Sequence, residues 1–178
     1  MIPIKIGEKK YNIKVISELT TAEFIELSKI EKPDVLKYVA WQTGVTNDKA
    51  FFAIIDPIVE KAIGTVPDIT KMKMSKLFDK KKLIETVGQR HQIEGSGLTG
   101  YELLVLTLAV AMARSNDYND VEKLRNEYMK MPFAEILPAG FFFFKTYRTG
   151  KKSVRSYLNL ILALIKIRSL KKVQGLKG

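Results

Sequence analysis

The chain has 178 residues, and 46% of them are hydrophobic, so the composition is that of a folded protein with a packed core. It contains no cysteine, which excludes a disulfide framework, a zinc–thiolate site and a cysteine nucleophile. The formal net charge of +11 is concentrated at one end. Residues 136–178 hold ten Lys or Arg and no acid, which leaves residues 1–135 with a net charge of +1.

The N-terminal segment has the periodicity of β-strands. Isoleucines alternate with other residues over 2–6, a polar turn follows at 7–10, and apolar residues alternate again over 11–15. This pattern predicts a β-hairpin over residues 2–16. Because a lone hairpin is only marginally stable in water, we expect it to pack against the rest of the chain.

Capping signals predict two helices after the hairpin. Thr20 followed by Glu23 is the pattern of a capping box, in which each side chain accepts a hydrogen bond from the other residue's backbone N–H. A second helix is predicted to begin at residues 33–34 and to end at Gly44, since glycine is common just after a helix.

The next stretch mixes helical and turn signals. Capping residues predict helical segments over 46–55 and 56–64. Residues 67–85 then alternate methionine and leucine with lysine, and a polar run at 79–82 is typical of a turn. This alternation predicts a second β-hairpin near 67–85.

The second half is predicted to be helical. A helix begins at Thr86, the glycine-rich residues 94–100 form a loop, and residues 101–114 are apolar almost all round, which predicts a buried helix. The pair Asn119 and Glu122 is predicted to cap the next helix, and Pro132 to end it.

The last segments are apolar or basic. Pro138 and Gly140 predict a break, after which residues 141–144 begin a buried segment ending near Gly150. A final amphipathic helix is predicted over 153–172. Together these elements predict a mainly α fold with one or two small β-hairpins, comprising a compact helical domain over 1–150 and a basic amphipathic C-terminal helix and tail over 151–178.

No pattern of an enzyme is present in the sequence. His91 is the only histidine, so a histidine metal cluster is excluded, and no serine lies in a GxSxG context. The glycine-rich loop at 94–100 lacks the GxxxxGK[ST] lysine of a phosphate-binding loop. We therefore predict a protein without catalytic residues, metal, cofactor or small-molecule substrate.

Four contiguous phenylalanines, 141–144, precede Lys145 and Arg148. In a nucleic-acid-binding protein, such rings would stack on the bases and the neighbouring cations would neutralise the phosphates. Four consecutive positions point all around a helix, however, so we expect most of these rings in the core, with a partner-binding patch as the alternative.

The basic segment after residue 150 has three interpretations. The segment could form a solvated amphipathic helix that packs on its own domain, it could bind a phosphate backbone, or it could bind an anionic membrane surface.

The apolar runs at 101–113 and 157–165 are shorter than the roughly 20 residues that cross a bilayer. The first residues also lack a signal-peptide layout. A soluble, cytoplasmic protein is expected.

Several segments, taken together, resemble the tail-assembly chaperone-like proteins of tailed bacteriophages. The resemblance covers roughly residues 4–148 and is carried by segments 19–27, 34–45, 86–89, 121–133 and 140–145. The second of these contains Trp41-Gln42-Thr43-Gly44-Val45, similar to a "helix then Gln-Thr-Gly" segment of that family. The long basic helix after Gly150 departs from the family pattern.

The resemblance implies a non-catalytic role, namely binding tape-measure and tail-tube proteins before they polymerise. The alternative is a nucleic-acid-binding or virion structural protein that uses the basic C-terminal helix. A third possibility is that residues 151–178 contact an anionic surface. Within this segment, Ile161 is expected to be buried. The residues predicted to contact a partner are Phe141, Phe144, Lys151, Lys152, Arg155, Tyr157, Leu160, Lys166 and Arg168.

Overall fold

The computed structural model describes residues 1–6, 8–31, 35–45, 68–84, 86–113 and 117–148. Within them the chain is mainly α-helical with a two-stranded antiparallel sheet, which confirms the predicted fold class. The elements in chain order are β1 (Ile2–Ile6), β2 (Lys9–Ile13), α1 (Thr21–Lys29), α2 (Val35–Thr43), α3 (Val87–Glu94), α4 (Gly100–Met112), α5 (Tyr118–Lys130) and α6 (Phe133–Arg148). The predicted helical segments over 46–64 and 153–172 lie outside the described residues.

The predicted N-terminal hairpin is present, but its turn is shorter than predicted, because Lys9 and Lys10 belong to β2. Strands β1 and β2 pair in a register that places Ile2 opposite Ile13 and Ile6 opposite Lys9. Ile13 is buried, and α2 packs against β2. The Tyr38 hydroxyl in α2 donates a hydrogen bond of 2.6 Å to the Lys14 carbonyl, so the hairpin is held against a helix rather than standing alone in water.

Capping residues determine where α1 begins and where α2 ends. Thr20 Oγ1 accepts a hydrogen bond from the Glu23 N–H at 3.3 Å, and Glu23 Oε2 accepts one from the Thr20 N–H at 2.8 Å. This confirms the predicted capping box. At the end of α2, Gly44 has a φ of +70° and its N–H donates to the Ala40 carbonyl at 2.8 Å. The predicted glycine cap is also confirmed.

The core is organised around α4. Its residues from Leu103 to Ala111 are all buried, and it packs against α3, α5 and α6. This confirms the predicted buried helix, because a helix that is apolar all round must be enclosed by other elements. Helix α1 lies on α5 and α6, and the Thr21 N–H donates to the Met131 carbonyl at 2.8 Å.

The cap of α5 differs from the prediction. The helix begins at Tyr118, and the carboxylate of Asp117 accepts a hydrogen bond of 2.9 Å from the Asn119 N–H. Asn119 therefore lies in the first turn rather than at the cap. Asp117 is an equally good capping residue placed two positions earlier, so the helix gains an additional half turn.

The predicted break at Pro138 and Gly140 is wrong. Helix α6 runs without interruption from Phe133 to Arg148, with Pro138 inside it. Proline removes one helical hydrogen bond, but residues 136–140 are all buried against the rest of the protein. This packing stabilises a continuous helix across the proline.

The second predicted hairpin, near 67–85, is also wrong. The described part, residues 68–84, contains a 3₁₀ turn at Ile69–Lys71 and further turns, and it contains no strand. Ile69 and Phe78 are buried in the helical core. These two side chains pack individually against the helices, so the alternation of apolar residues with lysine does not reflect strand pairing. The predicted turn at 79–82 is present, with a hydrogen bond from the Lys82 N–H to the Asp79 carbonyl.

Candidate partner-binding surfaces

The phenylalanine run lies mostly in the core. Phe143 and Phe144 are 1% and 7% exposed, whereas Phe141 and Phe142 are half-buried. The Arg148 guanidinium carbon lies 4.6 Å from the centroid of the Phe144 ring, which covers it further. Phe144 is therefore largely buried on α6, and its contact with a partner stays a prediction. A partner contact through Phe141 stays a prediction.

The other residues predicted to contact a partner lie beyond the described part of the chain. They are Lys151, Lys152, Arg155, Tyr157, Leu160, Lys166 and Arg168, and Ile161 lies there as well.

Helix α6 is fixed at its C-terminal end by a contact with α3. The Tyr147 hydroxyl donates a hydrogen bond of 2.8 Å to the Glu94 carboxylate. Burial raises the pKa of Tyr147 to about 12, and the negative charge of Glu94 acts in the same direction. The basic side chains of Lys145 and Arg148 in the last turn complement the negative end of the helix dipole.

A second basic surface lies in the described part of the chain. We call residues 71–83 the lysine loop; it contains six lysines and a single acid, Asp79. Lys71 forms an ion pair of 3.3 Å with Asp68, and Lys82 Nζ donates to the Met112 carbonyl at 3.5 Å. The remaining four side chains are exposed and lie within salt-bridge distance of no carboxylate among the described residues. They are Lys73, Lys76, Lys80 and Lys81.

The lysine loop is irregular but held in place. Phe78 is 6% exposed, and its ring lies edge-on to Tyr128 of α5 at a centroid distance of 5.6 Å. Met72 and Met74 are partly buried against the same core. The carboxylate of Asp79 accepts a hydrogen bond of 2.9 Å from the Lys81 N–H, so it stabilises the turn instead of pairing with a lysine ammonium.

Apolar side chains are exposed in and beside the lysine loop. Leu77 is 65% exposed, Leu83 is 43% exposed, and Val87, at the start of α3, is 84% exposed. The other large apolar side chains that are exposed in the described residues are Met1 and Tyr118. Among the described residues, the lysine loop thus combines lysines that have no carboxylate partner with solvent-exposed aliphatic surface, a composition found where proteins bind partners.

The lysine loop is the candidate surface that sequence reasoning did not identify. The signal was present as an excess of lysine over acid between residues 71 and 82. The alternation of those lysines with methionine and leucine was interpreted as a β-hairpin instead. Which apolar residues face outward, above all Leu77, depends on the burial of Phe78, and that is decided by tertiary packing.

Reactive groups do not cluster in the described ranges. His91 is exposed on α3, and among the residues with described positions no three His, Asp or Glu side chains lie close enough to hold a metal ion. Over those same residues, no helix is both long enough and apolar enough to span a bilayer. In comparisons with known proteins, no family, curated protein or solved structure matches this chain.

Proposed function

We propose that this chain is a non-catalytic phage morphogenesis protein, a tail-assembly chaperone that binds tape-measure or tail-tube proteins in the host cytoplasm before they polymerise. The proposal rests first on the resemblance over residues 4–148. The segments that carry it include the capped helix α1, the Gln42-Thr43-Gly44 end of α2 and residues 140–145 in the second half of α6.

One structural observation supports the proposal more than any other. Leu77 is 65% exposed between lysines that have no carboxylate partner in the described residues. A chaperone of this kind needs exposed apolar surface to cover the apolar surface of its client. It also needs charges that can pair with the client and be released again when the client assembles.

The direct test is co-expression of the full chain with the tape-measure or tail-tube protein from the same genome. We expect a complex of fixed stoichiometry in size-exclusion chromatography with light scattering, and a client that stays unpolymerised. The major capsid protein of the same genome is the control and should elute separately. The proposal would be refuted if the tape-measure and tail-tube proteins both eluted separately from this chain. It would also be refuted if both polymerised at the same rate with and without it.

A second candidate function is binding of nucleic acid, as a virion component, through the basic C-terminal helix. The observation that favours it is the set of ten cations and no acid in residues 136–178. Such binding would release counterions, so the logarithm of the affinity should fall steeply with the logarithm of salt concentration. Titration of DNA and RNA over a salt series, with a chain truncated after residue 150 as the comparison, tests this function.

A contact of the same helix with an anionic membrane surface predicts a different outcome. The full chain would then sediment with vesicles that contain anionic lipid and remain in the supernatant with neutral vesicles.

A further inference from the structure

We propose that the lysine loop docks an acidic amphipathic helix of a partner protein. In this arrangement Leu77 and Leu83 contact the apolar face of that helix, and the ammonium groups of the loop pair with its carboxylates. The inference deepens the proposed function and rests on it for the identity of the protein that carries the helix.

Charge complementarity indicates an acidic partner. Lys73, Lys76, Lys80 and Lys81 are exposed and without a carboxylate partner among the residues described, and the acid of the loop, Asp79, is engaged by the backbone of its own turn. Four like charges within nine residues repel one another until a partner of opposite charge neutralises them. A row of partner carboxylates would do so and would set the orientation of docking.

The exposed aliphatic side chains indicate that the acidic partner segment is amphipathic. Leu77 lies between Lys76 and Lys80 in the chain and Leu83 directly follows Lys82. Val87 is the first residue of α3. A purely acidic chain would leave these side chains in water. A helix with an apolar stripe flanked by glutamates or aspartates matches both components of the surface.

The backbone of the lysine loop is ordered before a partner binds, so binding costs little conformational entropy. Phe78 and Ile69 are buried, and Met72 and Met74 pack on the core, so the backbone around the lysines is already positioned. A surface whose backbone is ordered before binding loses less conformational freedom when the partner docks.

Nucleic acid fits this surface less well. Single-stranded nucleic acid is bound by cations together with aromatic rings that stack on the bases. The aromatic side chain of the lysine loop, Phe78, is 6% exposed and lies against Tyr128. The exposed side chains beside the lysines are aliphatic, and they offer no platform for stacking.

A lipid surface fits it less well too. The exposed apolar groups of this region are two leucines and a valine, which together supply less hydrocarbon than one acyl chain. A single acyl chain holds a protein on a membrane only marginally and reversibly. A protein helix, in contrast, meets the same groups with matching charges at fixed positions.

The test uses the full chain and a fluorescent peptide of roughly five helical turns, built from Leu, Ala and Glu with leucine along one face. Fluorescence anisotropy at low salt measures its affinity for the wild-type chain and for two loop variants, K76Q/K80Q/K81Q and L77S. A matched variant, K9Q/K10Q/K123Q, removes the same charge from exposed lysines outside the loop. Thermal unfolding of each variant establishes that the fold is retained.

We expect the triple loop variant to bind the peptide about tenfold more weakly, since three partly screened ion pairs are lost. L77S should weaken binding about threefold, and the matched variant less than twofold, because it changes only the net charge. A peptide of the same composition with its leucines scrambled around the helix should bind more weakly. A peptide with lysine in place of glutamate should not bind.

Several results would overturn the proposal. Equal losses in the two triple variants would mean that only net charge matters, and equal binding of the scrambled peptide would mean that the aliphatic groups play no part. A loss of DNA binding or of anionic-vesicle binding in the loop variants, with peptide binding unchanged, would assign the surface to that ligand instead. Because the peptide is not a phage protein, this result is independent of the co-expression test, and each proposal can fail alone.

Discussion

Gly140 of α6 lies against the backbone of Leu104 in α4, so closely that a Cβ atom at position 140 would stand 3.0 Å from the Leu104 carbonyl oxygen and 3.3 Å from its carbonyl carbon. The obstacle is backbone inside the core, which cannot rotate away as a side chain can. The two helices therefore approach each other at a position where any side chain would force the backbone of α4 to shift.

The first prediction follows from this approach. Gly140→Val should lower the free energy of unfolding by about 2 kcal/mol or more, because the added methyl groups push α4 and α6 apart. The matched change Gly88→Val introduces valine at an exposed helical position whose nearest neighbour would be 3.9 Å away, and should change stability by less than about 0.5 kcal/mol. Urea unfolding of both variants measures the difference. Equal stabilities would contradict the close approach.

The second prediction concerns the cap of α1. Thr20→Ala removes the side chain that accepts the Glu23 N–H and should cost about 1 kcal/mol in unfolding free energy. Thr99 precedes α4 in the same kind of position, but its side chain makes no capping hydrogen bond. Thr99→Ala is therefore the control, and it should unfold within about 0.5 kcal/mol of wild type.

The third prediction is a pH dependence at Glu23. Burial alone would raise the pKa of Glu23, but hydrogen bonds from the Lys14 ammonium and from Thr20 outweigh it and hold the pKa below its ordinary value of 4.5. The carboxylate thus contributes stability that is fully present above pH 4.5 and is lost as the pH falls through the lowered pKa.

Urea unfolding over an acid pH series tests this effect. Glu23→Gln should show a smaller loss of stability on acidification than wild type. Lys14→Gln should reduce the loss as well, because it removes the ammonium that lies 2.6 Å from the carboxylate. An unchanged acid profile in both variants would show that the pair does not affect folding.

The fourth prediction tests how the hairpin is held against α2. Tyr38→Phe removes the hydrogen bond to the Lys14 carbonyl, which also accepts one from Gln42 Nε2 at 2.9 Å. Since the carbonyl keeps one partner, the cost should be about 0.5–1 kcal/mol. Tyr118→Phe removes a hydroxyl from a side chain that is 60% exposed and should leave stability unchanged. A comparable loss in both variants would contradict the assignment.

The fifth prediction concerns the aromatic centre of the core. Phe133 is fully buried and stacks on Phe24 with ring centroids 4.3 Å apart. Phe133→Ala should cost about 3–5 kcal/mol because it leaves a cavity. Phe142, in the same helix, is only half-buried, and Phe142→Ala should cost clearly less. Urea unfolding measures the loss of stability in both variants. A larger loss for Phe142→Ala than for Phe133→Ala would contradict the prediction.

Features that depend only on near neighbours in the chain were predictable from the amino-acid sequence. The Thr20–Glu23 box, the glycine cap at Gly44 and the N-terminal hairpin each need only a few adjacent residues to satisfy local hydrogen bonds, and each was predicted. The burial of α4 was predictable too, since a helix that is apolar on every side has no other stable location in water.

Where local signals conflicted with packing, contacts between residues distant in the chain determined the conformation. Proline and glycine at 138 and 140 favour a break, yet the burial of α6 against α4 outweighs the lost hydrogen bond. The lysine–methionine alternation of residues 71–76 resembles a strand, yet Phe78 and Ile69 insert separately into the helical core. Only that insertion leaves Leu77 exposed beside lysines that pair with no carboxylate of the described residues, because exposure depends on contacts between residues distant in the chain.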